Sequence, residues 1–266
     1  MQSLYGAIAN YKQKEIMAIS VDKVYQKVLA LANKEQRGYI TPQEFNLFAD
    51  QAQMDIFEQY FYDLNQTQRT QGTEMDYADL TTNIEEKVSI FEKNDQSMTV
   101  AGSSGNFNIG AISDFYRLGT ISILYANDGG LNFYTDVEPI RLSELRKYEK
   151  SLLAKPTKNT PVYSKFSSDS QPLIFRIYPY PTGGDDVLIN YIRKPKSPKW
   201  TYVISHNKNA LYNPSAIGHQ DFELHSSEES TLVFKILQLA GLSIKDYQLS
   251  GAASQQEMKT LQQEKQ

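Results

Sequence analysis

The chain has 266 residues, with 27 basic side chains against 31 acidic ones and a net charge of −4. It contains no Cys, which excludes a disulfide framework, Cys-based zinc sites and cysteine nucleophiles together. No run of 18 apolar residues occurs, and MQSLYGAIANYKQKEIM lacks the basic start and long apolar centre of a signal peptide, so the expectation is a soluble protein without a membrane partner.

Helical spacing starts at Ser20. Val21, Val24, Tyr25, Val28, Leu29 and Ala32 recur every three or four residues behind a serine able to cap, predicting about four turns of amphipathic helix. Gly38 closes that segment, and TPQE opens the next with Thr41 as cap, Pro42 in the first turn and Glu44 placed to bond back. The second helix carries Phe45, Phe48, Ala49, Ala52, Ile56, Phe57, Tyr60, Phe61 and Leu64, a stripe wide enough for more than one neighbour. The polar run Asn65 to Asp76 reads as a loop.

From about residue 88 the period shifts toward two. VSIFEK, TISILYA, VEPIRL, LIFRIYP and VLINYIRK predict strands, separated by the turn signals GSSGN, ANDGGLN and TGGDD. LSELRKYEKSLLAK interrupts them as a short helix that Ser143 could cap. Helical spacing returns behind a capping box of Ser226 and Glu229, with Leu232, Val233, Ile236, Leu237 and Ala240 on one face and Gly241 as the stop. A polar helix with Met258 and Leu261 as its apolar anchors ends the chain.

The expected fold is therefore α+β. A helical bundle is formed by N- and C-terminal helices (1–86 and 223–266), with an antiparallel β-sandwich or barrel inserted at 87–222.

Signatures of chemistry are sparse. His206, His219 and His225 do not sit at metal-ligand spacing, and GSSGNFNIG lacks the Lys-Ser/Thr of a phosphate loop. The acidic pairs Asp185–Asp186 and Glu228–Glu229 fall at a turn and a helix start, where carboxylates are structurally favoured. Neither a cofactor nor an enzymatic activity is expected.

The most unusual segment is RKPKSPKW, Arg193 to Trp200, which holds four basic residues, two prolines and the single tryptophan. Without its four cations the remainder of the chain would carry −8. Four phosphate contacts would give a salt slope of about −3.6, a weak and sequence-independent grip. Position favours a stiff basic arm continuing LINYI at the edge of the β domain, with Trp200 as anchor.

Laid in order, ISVDKVYQKVLALANKEQRGYITPQEFNLFADQAQMDIFEQYFYD (19–63), DFYRLGTISI (114–123), TPVYSKF (160–166), LIFRIYPYP (173–181), LINYIRKPKSPKW (188–200) and LVFKILQLAGLSIKD resemble one family. The chain resembles the head-to-tail adaptor proteins of short-tailed phages, which include tail tubular protein A, and is most similar to ring proteins of crAss-like phages. The resemblance covers most of the chain from residue 19; residues 1–16 lie outside it.

It implies a structural virion protein at the portal vertex, assembled in the host cytoplasm. The ring, typically of twelve copies, would join the portal protein to the next tail ring protein and pass double-stranded DNA without reading its sequence. Under this resemblance Arg193, Lys194, Lys196, Lys199, Trp200, Phe45 and Phe48 are expected at the subunit interface, and Met258 and Leu261 at the portal. The alternative is a tyrosine-rich β module of the tail that recognises host-surface carbohydrate.

Overall fold

A helix start needs partners for its first amide groups, and at Thr41 the chain supplies them locally. The Thr41 N–H and hydroxyl both donate to Glu44 Oε2, at 2.9 and 2.7 Å, and the Glu44 N–H returns to Thr41 Oγ1 at 3.3 Å. This capping box opens one of the helices in the computed structural model, which describes residues 19–34, 40–69, 74–98, 106–125, 133–168, 171–181, 185–205, 209–243, 255, 258 and 259.

In chain order come helices α1 (Val21–Lys34), α2 (Pro42–Arg69) and α3 (Glu74–Ser89). Strands β1 (Glu92–Met98), β2 (Asn106–Asn108), β3 (Phe115–Tyr125), β4 (Phe133–Asp136) and β5 (Glu138–Pro139) follow, then helix α4 (Leu142–Lys150). After it lie β6 (Val162–Ser168), β7 (Gln171–Tyr178), β8 (Asp186–Arg193), β9 (Tyr202–Ile204), β10 (Ala210–Tyr212) and helix α5 (Glu229–Ser243). The fold is α+β, with helices from both ends of the chain and a β-sandwich-like insert.

The chain forms two compact units, Met1–Ile90 with Pro195–Gln266, and Phe91–Lys194. Residues 195–222, expected in the β insert, thus group with the helices. The reason is burial: Trp200, Phe222 and Leu224 are each at most 2% exposed within that helical unit.

In the helical unit α5 packs on α1 and α2, and α3 on α2. The stripes Val21, Val24, Tyr25 and Val28 on α1, Phe45, Ala49, Ala52 and Ile56 on α2, and Leu232, Ile236 and Ala240 on α5 are buried. Ile84 and Val88, four apart on α3, are buried as well. Lys87 of α3 pairs with the nearly buried Glu228 at 2.6 Å, in the turn ahead of α5.

Five local expectations are corrected. The polar run does not stop α2, which continues to Arg69, and α3 begins at Glu74; Gln, Arg and Glu are adequate helix formers, and the Asn65 amide bonds back to the Phe61 carbonyl at 2.8 Å. VSIFEK is not a strand, because Val88 belongs to the apolar face of α3, and the strand is Glu92–Met98. Ser143 lies inside α4, whose N-cap Arg141 makes no side-chain cap bond. Ahead of α5, Ser226 lies inside a 3₁₀ turn (Ser226–Glu228) whose cap is His225, with Nδ1 accepting from the Ser227 N–H at 3.3 Å, and Gly241 sits within α5 rather than after it.

The β unit holds two four-stranded sheets, β1-β8-β3-β4 and β2-β7-β6-β5. Pairing is antiparallel except for the short β5–β6 contact, which is parallel. Alternate residues of both sheets (Ile121, Ile123, Val187 and Ile189 from one, Tyr163, Phe175 and Ile177 from the other) meet in one core, as a sandwich requires. GSSGN, apart from Asn106, and ANDGGLN, with Thr182–Gly184, lie outside the described residues.

Asn190 on the central strand β8 organises irregularities on both sides. Its Oδ1 accepts from the N–H of Asp95, the positive-φ residue (54°) in the β1 bulge, and its amide donates to Thr120 Oγ1, both at 2.8 Å. Beside Thr120 the backbone comes so close that a Cβ on Gly119 would meet the Asn190 carbonyl oxygen at 2.9 Å.

Two outcomes are expected. Gly119→Ala should cost roughly 1–3 kcal/mol in urea denaturation, by forcing β3 away from β8; an unchanged midpoint would contradict that close approach. The Thr41 hydroxyl and N–H hold the Glu44 carboxyl below its usual range, so its stabilisation is complete above the ordinary carboxylate pKa and fades as pH falls through the lowered value. The protection factors of the first amides of α2, exchange rates corrected for the intrinsic effect of pH, should therefore fall on acidification, and in Glu44→Gln at neutral pH.

Candidate functional site

The candidate site is built within the helical unit on Pro195 to Trp200, an extended strap, and on the helix face that receives it; Arg193 and Lys194 belong to the β unit. An extended segment laid on a helix finds no partners in that helix's backbone, so its buried amides and carbonyls need side chains or a crossing chain. Helix α2 provides them seven residues apart. Asn46 bonds both backbone groups of Trp200, accepting its N–H at Oδ1 (2.8 Å) and donating to its carbonyl (3.2 Å). Gln53, fully buried, donates to the Lys196 carbonyl at 2.8 Å and accepts from the Glu223 N–H at 3.1 Å, tying two passes of the chain to one helix position.

Seven residues advance about 10.5 Å along a helix, and four extended residues reach about 13 Å, so the spacing 46/53 matches the spacing 200/196. The Lys196 N–H donates to Glu223 Oε2 at 2.9 Å, and Lys199 forms a two-way bridge with Gln220. Pro195 and Pro198 are buried, and neither has an amide hydrogen to satisfy.

Trp200 ends the strap in an aromatic stack. Its ring lies 4.5 Å from Tyr25, 5.7 Å from Tyr202 and 5.8 Å from Tyr212, and its indole N–H donates to Asp22 Oδ1 at 2.9 Å. Asp221 accepts the first N–H of α1, from Val21, at 2.8 Å, so a carboxylate from far along the chain serves that helix start. Burial, then the Asp221 and Asp22 carboxylates, raise the Tyr212 phenol, which stays protonated and lies 3.4 Å from His219 Nε2.

The structure separates the expected interface residues. Phe45 is fully buried against Tyr25 (4.6 Å) and Trp200 is 2% exposed, so both are removed from the interface: each spends its surface inside the subunit. Phe48 is half-buried. Arg193 lies over the Phe91 ring at 5.6 Å, while Lys194, Lys196 and Lys199 are exposed. Met258 is 57% exposed, and Leu261 lies outside the described residues, as does His206. The strap does not continue an edge strand, because β8 runs between β1 and β3 and ends at Arg193, before Pro195.

The residues that sequence reasoning missed are Asn46 and Gln53. Their signal was present as two amides seven apart, next to the apolar stripe of α2. Elsewhere, Tyr125 is pushed up to about 12 by burial, with the Asp185 charge adding to it, and so remains a neutral phenol. Among the described residues no group of three or more His, Asp or Glu side chains is placed to hold a metal ion, and no helix is long and apolar enough to cross a membrane. Comparison with protein-family models gave no match, and comparison with curated proteins gave no significant one.

Gln53→Ala should destabilise the helical unit by roughly 1–3 kcal/mol for each backbone group left unpaired, measured by denaturant unfolding. Asn46→Ala should act in the same direction, and near-neutral behaviour in both variants would show that the strap is not held by α2.

Proposed function

We propose that the chain is a structural subunit of a head-to-tail adaptor ring, joining a portal protein to the next ring of a short phage tail around a DNA conduit. The observation that supports this reading is architectural. Segments from both ends of the chain build one helical unit, and a single β-sandwich is inserted between crossings at residues 90–91 and 194–195. That is the element order implied by the adaptor resemblance. A subunit of this kind works by shape, presenting different surfaces to different neighbours.

The strap contributes charge to such a surface. Its backbone is tied down by Asn46 and Gln53 while the Lys196 and Lys199 side chains are exposed, so these cations are held on a stiff support. An acidic chain overall, at −4, also suits a conduit that must not hold phosphates.

A second reading, a β module that recognises carbohydrate, is favoured by the exposed Tyr134 and Tyr180 and by the 5.3 Å approach of the Tyr178 and Tyr180 rings. Location decides between the two. A reconstruction of the virion vertex should find repeated copies of this fold directly below the portal; copies confined to the tail tip would overturn the ring reading in favour of the carbohydrate module.

A further inference from the structure

In the β unit, Arg141–Lys158 gathers six basic residues (Arg141, Arg146, Lys147, Lys150, Lys155 and Lys158) against Glu144 and Glu149, a local net of +4 in a chain of −4. Helix α4 buries only Leu145, so the rest of its surface faces solvent. The turn after it presents Leu152 and Leu153, at 102% and 101% exposure as open as in an extended peptide. That turn is held in shape: the Ser151 N–H bonds the Tyr148 carbonyl at 3.1 Å, and the Ala154 N–H bonds Ser151 Oγ at 3.2 Å. Two adjacent leucines kept in water on a structured turn, within a cationic field, have the character of a docking knob.

In the helical unit, α2 carries the complementary character. Glu44, Asp55 and Glu58 share its outer face by their spacing, and no basic residue precedes Arg69 in the helix. Its solvent stripe runs through Leu47, Gln51, Glu58 and Tyr62, spaced by four or seven, with Leu47 and Tyr62 72% and 66% exposed. This acidic stripe therefore has an open apolar side chain toward either end.

We propose that the basic, leucine-tipped segment Arg141–Lys158 of one copy docks on the acidic outer stripe of helix α2 of a second copy. The contact is heterologous, so every copy keeps one of each surface open for the next neighbour. In this respect the inference rests on the ring reading and gives it a joint. Charge complementarity selects the occupant. Nucleic acid would use the cations and leave the leucines in water. An anionic bilayer would take both but be repelled by the acidic stripe on α2; a second copy uses all of them.

The absence of Cys makes the test direct. Full-length Leu153→Cys and Tyr62→Cys proteins, matched in thermal unfolding to the parent, are mixed under mild oxidation. The mixed disulfide should exceed either self-dimer and the control pair of Leu153→Cys with Ile217→Cys, a fully exposed position outside both surfaces. Reversing Lys147 and Lys150 to Glu in the first protein should lower its yield on the order of tenfold, and Asp55→Lys with Glu58→Lys in the partner should restore it. Yields equal to the control, or indifferent to charge reversal, would overturn the proposal, as would Lys147- and Lys150-dependent sedimentation with phosphatidylserine vesicles in place of the crosslink. The two readings fail separately: a crosslink without vertex location removes only the ring, and vertex location without the crosslink removes only this contact.

Discussion

Everything in the helical unit depends on how an extended segment is buried without a sheet. Backbone amides and carbonyls taken out of water require partners, and an extended chain lying on a helix finds none in that helix's own ladder. Asn46 and Gln53 supply them, each acting toward the segment much as a neighbouring strand would. With that provided, Trp200 can bury its ring against Tyr25 and Tyr212, and Phe222 and Leu224 can join the helical core.

The same requirement explains the roles of the acidic residues around the strap. Asp22 takes the indole N–H, Asp221 takes the first amide of α1, and Glu223 takes the amide of Lys196. Each answers a named donor. The lysines, by contrast, carry their charge outward, so the segment expected as a stiff basic arm at the edge of the β domain is, from Pro195 on, tethered within the helical unit. Tethering lowers the conformational entropy that any partner must overcome on binding.

Much of the fold was legible because its signals are local. The capping box at Thr41, the apolar stripes of α1, α2 and α5, and the alternation in β3, β7 and β8 all depend on residues within one or two turns or strands of each other. The third helix was missed although Tyr77, Leu80, Ile84 and Val88 recur at three- and four-residue spacing, because the polar run before it reads as a loop and Val88 reads as the start of a strand. The site was legible only in part. Trp200 stood out as an anchor, but whether it anchors inside the subunit or between subunits depends on Asp22, Asn46 and Tyr212, which lie far from it or across a hairpin. Ser226 lost its expected capping role to His225, one residue earlier, a substitution that periodicity cannot foresee.

The central structural claim is that the return segment is a folded part of the helical unit rather than a linker draped over it. Native-state hydrogen exchange at single-residue resolution tests this most directly. The amides of Trp200 and Glu223, bonded to Asn46 and Gln53, should exchange only through the opening that also releases the middle of α2. Exchange of those two amides at the rate of an exposed peptide, with α2 still protected, would contradict it.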